Sequence, residues 1–149
     1  MIHVEAPEEF GGRTRSVFLA GGITDCPDWQ SEAAASLADL PVAVLNPRRA
    51  RFKDSPGAAA EQIDWEYRHL VIADVILFWF PGGPAVQPIA LYELGAWAAS
   101  TKPIVVGADP AYNRRLDVEL QLSHVRPGLD VHTTLNATSQ AARAVLERF

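Results

Sequence analysis

The sequence predicts an α/β fold, a doubly wound parallel sheet of about five strands, and three observations carry that prediction. Short apolar runs recur along the chain, each closed by a glycine, proline or asparagine turn. Stretches with the i, i+4, i+7 spacing of helices lie between them. The runs are apolar throughout rather than alternating, as expected of strands covered on both faces by helices. The chain has 149 residues, 48% of them hydrophobic, with no repeat, low-complexity segment or linker. It is therefore read as one domain spanning 1–149.

Residues 1–15, polar and carrying Pro7 and Gly11-Gly12, read as an arm or short edge strand. Ser16 to Ala20 is a buried strand stopped by Gly21-Gly22. Asp28 or Ser31 can cap the next helix, whose alanine-rich body runs from Glu32 to Leu40 and ends at Pro41. Val42 to Leu45 forms a second strand, closed by Asn46-Pro47-Arg48-Arg49. A helix from about Ala58 to Ala73 takes Ile63, Tyr67, Leu70 and Val71 as its apolar stripe. Asp74 to Phe80 is the strongest strand, ending at Pro81-Gly82-Gly83-Pro84. In the helix that follows, Ile89, Glu93, Ala96 and Trp97 share one face. Pro103 to Val106 is a fourth strand, Leu116 to His124 a weaker helix, Leu129 to His132 a fifth strand and Thr138 to Arg148 a closing helix. Together these elements describe a flavodoxin- or Rossmann-like arrangement with helices on both faces.

Composition narrows the function. A net charge of −5 gives no electrostatic reason to expect a nucleic-acid polymer or an anionic membrane as partner. Cys26 is the only cysteine, and His3, His69, His124 and His132 are scattered, so no disulfide, metal or other cofactor is expected. The first residues lack the basic and apolar regions of a signal peptide, and no apolar run approaches a membrane span. A reducing cytoplasm is the expected compartment.

Ligands of such sheets bind beyond the carboxyl ends of the strands. Gly21-Gly22, Asn46 to Arg49, Asp64 and Glu93 all fall toward that rim, and this convergence points to a site. Glu93 stands alone in an apolar run, so it is either turned to water or held where its charge is used. Gly21-Gly22 lacks the full dinucleotide fingerprint, and a plain strand-to-helix turn accounts for it equally well. Arg48 and Arg49 can hold a base edge or phosphate, or simply form a solvated basic turn with Arg51 and Lys53. Asp64 and Arg68 have the i, i+4 spacing of a helix ion pair. Trp65, Tyr67, Trp79 and Tyr92 can stack on a base or fill the core.

In combination these stretches are more specific. Phe18-Leu19-Ala20-Gly21-Gly22-Ile23-Thr24, Asn46-Pro47-Arg48-Arg49, Gln62-Ile63-Asp64-Trp65-Glu66, Ala73-Asp74-Val75-Ile76 and Leu91-Tyr92-Glu93-Leu94-Gly95 occur in that order. The series resembles the nucleoside 2-deoxyribosyltransferase family, in particular a branch carrying the Asn-Pro-Arg-Arg turn, over about residues 16 to 110.

The resemblance implies transfer of a 2-deoxyribosyl group between nucleobases by a retaining double displacement. Glu93 would be the nucleophile, forming a glycosyl ester, and Asp64 the aspartate beside the sugar and leaving base. Gly21 and Gly22 would line the sugar pocket, with Ile23, Asn46, Arg48 and Arg49 also on the substrate. Gln87 stands where relatives carry an aspartate or serine for base or phosphate, and Asn113 is the candidate for a residue lent by a neighbouring subunit. The implied partners are a small-molecule nucleoside or nucleotide and a free nucleobase, with no cofactor, in a homo-oligomer. Two other functions use the same fold: an N-glycoside hydrolase of (deoxy)nucleosides or their 5′-monophosphates, and a non-catalytic nucleotide-binding module.

Overall fold

The computed structural model describes residues 1–51 and 54–148; Lys53, read above as part of a basic turn, lies outside them. The described strands are β1 (Ile2–Glu5), β2 (Ser16–Gly21), β3 (Ala43–Asn46), β4 (Val75–Phe80), β5 (Ile104–Ala108) and β6 (Val131–His132). They form one sheet in the order β1-β3-β2-β4-β5-β6. Every pairing is parallel. About five strands were expected and six are present, because the N-terminal arm pairs with β3, Val4 opposite Leu45.

Five helices cover the sheet among the described residues: α1 (Trp29–Ser36), α2 (Ala58–Ile72), α3 (Pro88–Ala98), α4 (Arg115–Val125) and α5 (Leu135–Leu146). The pleat of each strand sends alternate side chains to opposite faces. In β4, Ile76, Phe78 and Phe80 join the core under α2, α3 and α4. Val75, Leu77 and Trp79 join the core under α1 and α5. Both faces being apolar, β4 reads as a continuous hydrophobic run, as parallel central strands do.

Helix α1 departs from its expected bounds. Asp28 caps it by accepting from Ser31 N, so it begins at Trp29 rather than Glu32. It stops at Ser36, whose carbonyl accepts from Arg143 Nη2, well before Pro41.

Helix α2 lies at the expected position but is rotated from the expected phase. Ile63 and Tyr67 are 64% and 66% exposed, and Val71 is also exposed. Trp65 and His69 are only 1% and 2% exposed, and with Leu70 they form the inward face. The N-terminal segment fixes this rotation. Trp65 Nε1 donates to Glu8 O at 2.7 Å, and Phe10 N donates to His69 Nε2 at 3.2 Å. Since His69 Nε2 accepts, its Nδ1 carries the proton given to Trp65 O at 2.7 Å. Rings of Trp65 and His69 stack with centroids 3.9 Å apart. Burial of the indole alone is worth about 2–3 kcal/mol.

Helix α3 is held at both ends. Pro88 occupies its first position, where no N–H is needed. At the far end Arg126 donates to the carbonyls of Trp97, Ala98, Ser100 and Lys102.

Candidate active site

Strand order reverses direction between β2 and β4, since β2 leads to β3 on one side and β4 to β5 on the other. That junction is where open α/β sheets bind ligands. Gly21 lies opposite Trp79 in the ladder. A Cβ on Gly21 would run into the Trp79 carbonyl, and one on Gly22 into Cys26 Sγ and the Gln87 amide. Both glycines are thus required by close approach within the protein itself.

Gln87 clips the two strand ends together. Its Oε1 accepts from Gly22 N at 3.0 Å and its Nε2 donates to Pro81 O at 3.0 Å. It precedes α3 in the left-handed region, with φ 57° and ψ 54°. Two buried hydrogen bonds outweigh the strain of about 1 kcal/mol that such a conformation carries. The structure therefore gives this side chain a joining role, with its amide already engaged on both sides.

Glu93 follows on α3, partly buried. Burial, and the negative charge of Glu66 on α2, push its carboxyl up to about 8 from an ordinary 4.5. Burial also raises Glu66, opposed by a hydrogen bond from Gln62 and the charge of Arg49. Gln62 Nε2 donates to Glu66 Oε1 at 2.7 Å and to Pro47 O at 2.9 Å, while Gln62 Oε1 accepts from Arg49 Nε at 2.6 Å. The Asn-Pro-Arg-Arg turn therefore reaches the carboxyl pair through Gln62. Burial thus favours the neutral form of both carboxyls, and the charge of Glu66 favours it further at Glu93.

Asp64 is exposed, and Arg68, its expected i, i+4 partner, pairs instead with Glu9 at 2.6 Å. The rotation of α2 accounts for this, since it turns Gln62 and Glu66 inward and Asp64 away. The same rotation brings Glu66, at i, i+4 from Gln62, against the Gln62 amide.

The two arginines serve the protein's own loops. Arg48 Nε donates to Gln30 Oε1 at 2.9 Å, and its Nη2 to the carbonyls of Ile23, Cys26 and Pro27 at 3.1, 3.0 and 2.9 Å. This guanidinium shapes the loop from β2 to α1, including Ile23. Arg49 also pairs with Glu61 at 3.0 Å. Asn46 is buried; its Oδ1 accepts from Arg48 N at 2.9 Å and fixes the turn. Asn113 is exposed between β5 and α4. Trp65 and Trp79 are core residues, and Tyr67 and Tyr92 are exposed.

Two cavities adjoin this region without including either glutamate. One of about 470 Å³ opens on the α1/α5 side beside Asp28, Trp29, Trp79, Asp109 and Thr134. The other, about 480 Å³, is an apolar groove between α3 and α4 lined by Leu91, Leu94, Val118 and Leu122. Among the described residues no group of three or more His, Cys, Asp or Glu is placed to hold a metal ion. Nor is any described helix long and apolar enough to cross a membrane.

No curated protein matches the chain. A family model described as nucleoside 2-deoxyribosyltransferase like matches residues 14–112, which hold the glycine turn, the Asn-Pro-Arg-Arg turn, Glu66 and Glu93. The chain belongs to the nucleoside 2-deoxyribosyltransferase-like family.

Proposed function

We propose that this protein transfers a 2-deoxyribosyl group from one nucleobase to another by a retaining double displacement, with Glu93 as nucleophile and Glu66 as its acid–base partner. The observation that carries this reading is the action of the Glu66 charge on a partly buried Glu93. Such a pair supplies the two functions that cleavage of an N-glycosidic bond needs, one carboxylate and one acid. Glu93 passes its proton to Glu66, a Glu93 oxygen attacks the anomeric carbon, the bond to the base nitrogen breaks, and Glu66 gives that proton to the departing base. The glycosyl ester then meets a second base, whose nitrogen bonds to the anomeric carbon as Glu93 leaves, and Glu66 recovers a proton from it. Water in place of the second base gives hydrolysis. Glu66 takes the place first given to Asp64, whose exposed position supports no such part.

The experiment uses deoxyinosine as donor and adenine or cytosine as acceptor, with nucleosides and free sugar separated by chromatography. A new deoxynucleoside that disappears in Glu93→Ala, with turnover down about 10⁴-fold, is the expected result. Free sugar alone, unaffected by acceptor, would replace transfer by hydrolysis and direct the assay to 5′-monophosphates. No turnover on any donor would leave a nucleotide-binding module.

A homo-oligomer is part of the proposal. Ile63, Tyr67, Ile89 and Tyr92 are all more than 60% exposed on the two helices that carry Gln62, Glu66 and Glu93. Apolar surface of this kind is costly to leave in water. Sedimentation should show a mass above that of one chain, lowered in Tyr92→Glu; a single-chain mass for the unaltered protein sinks this part.

A further inference from the structure

We propose that Gln62 is a positioning residue whose amide, locked one way round, reserves Oε1 of Glu66 as an acceptor and leaves Oε2 as the oxygen that gives and takes the proton. This rests on the reading of Glu66 as the acid–base partner of Glu93.

Side-chain amides are often ambiguous, because oxygen and nitrogen exchange places on a half-turn. Here two neighbours remove the ambiguity independently. Arg49 Nε only donates, so the amide atom 2.6 Å from it is oxygen. The Pro47 carbonyl only accepts, so the atom 2.9 Å from it is nitrogen. Both assignments agree, and they commit the second hydrogen of Nε2 to Glu66 Oε1 at 2.7 Å. An amide held in this way cannot turn to accept a proton from Glu66. Oε1 stays a charge-stabilised acceptor, and protonation falls to Oε2.

The consequence is an asymmetry between two carboxyls of the same chemistry. Glu66 has a donor that favours its charged form, and no described group donates to Glu93. Burial and the Glu66 charge favour a proton on Glu93, while the Gln62 donor favours the charged form of Glu66. Glu66 stays poised, with one defined oxygen, to receive that proton when a substrate's developing positive charge draws Glu93 into its ionised form. Gln62 makes no contact with the reacting atoms in this scheme and acts only through Glu66.

The test combines Gln62→Met, which keeps length and bulk but removes the donor, with Gln62→Glu, which keeps the shape and cannot donate when ionised. Two quantities are followed: the pH dependence of deoxyribosyl transfer, and the titration of the Glu66 side-chain carboxyl by ¹³C NMR, its signal identified by loss in Glu66→Gln. In Gln62→Met the acid limb of the rate profile and the Glu66 titration should both move up by about one pH unit. Turnover below that limb should fall about tenfold, with KM nearly unchanged. Gln62→Glu should shift both in the same direction and further. Variants that lose thermal stability while the limb and the titration stay in place would show packing alone and overturn the proposal. If the unaltered protein shows no turnover, the proposed function fails, and the Glu66 titration decides by itself. A shift then upholds the clamp, and no shift overturns it.

Discussion

Two glutamates on two helices, Glu66 on α2 and Glu93 on α3, have opposite supports. Glu66 is tied through Gln62 to the Asn-Pro-Arg-Arg turn and lies under the charge of Arg49. Glu93 is pushed up to about 8 by burial and by Glu66, with no described donor to hold it charged. The difference teaches that a carboxyl's part in a site is set less by its identity than by which neighbours favour its ionised form. A supported carboxyl can change protonation without losing its place. An unsupported one is restless as an anion, and reactive toward a cationic carbon.

The sharpest way to break this comparison is Glu66→Gln. It should lower turnover about 10²–10³-fold. It should also bring the Glu93 carboxyl down from about 8, since a repelling charge is gone. Carboxyl titration in the variant would show this, and an unmoved Glu93 would deny the coupling.

Next comes stability against pH. Glu93 binds its proton up to about pH 8 when folded, against 4.5 ordinarily. Between those values the folded state holds the extra proton, so the Glu93 contribution to stability is fully present below 4.5 and is lost as pH rises toward 8. Denaturant melts should record a loss on the order of a few kcal/mol over that window. Glu93→Gln should flatten most of it, and equal slopes in both proteins would contradict the burial assigned to Glu93.

A smaller effect separates the turn's arginines from substrate contacts. Arg48→Met deprives three loop carbonyls of a donor and should reduce stability by about 2 kcal/mol, read as a lower Tm. An unchanged Tm with a raised KM would return Arg48 to the substrate. Smallest of all is Asp64→Asn, expected to leave turnover within about threefold, because exposed side chains away from special contacts matter little.

Much of the fold was legible in the sequence because strands buried on both faces have one appearance, a short apolar run between turn residues. Asp74 to Phe80 is such a run, and the structure forms its central strand from it. Family membership was legible as well, because the quoted blocks span the matched residues. The rotation of α2 was not. Ile63, Tyr67 and Val71 repeat at i, i+4, i+8 as an inward stripe does, and only the rest of the molecule shows them turned outward. What sets the rotation is a set of long-range bonds from Trp65 and His69 to residues 8–10, which no local spacing reveals. That rotation turns Glu66 inward and leaves Asp64 exposed. The internal hydrogen bonds of Gln87 and Arg48 were hidden for a related reason. A polar side chain near a strand end looks available until its partners within the chain are known.

Helix α3 is clamped at one end by the Gln87 clip and at the other by the fourfold grip of Arg126. A segment pinned in this manner has no cheap local opening. Its amide hydrogens should exchange with solvent only when the whole molecule comes apart. Glu93 then has no intermediate state in which it is misplaced while the protein remains folded. On heating, activity and structure should fail together at one temperature, and a lost rate would measure unfolding itself.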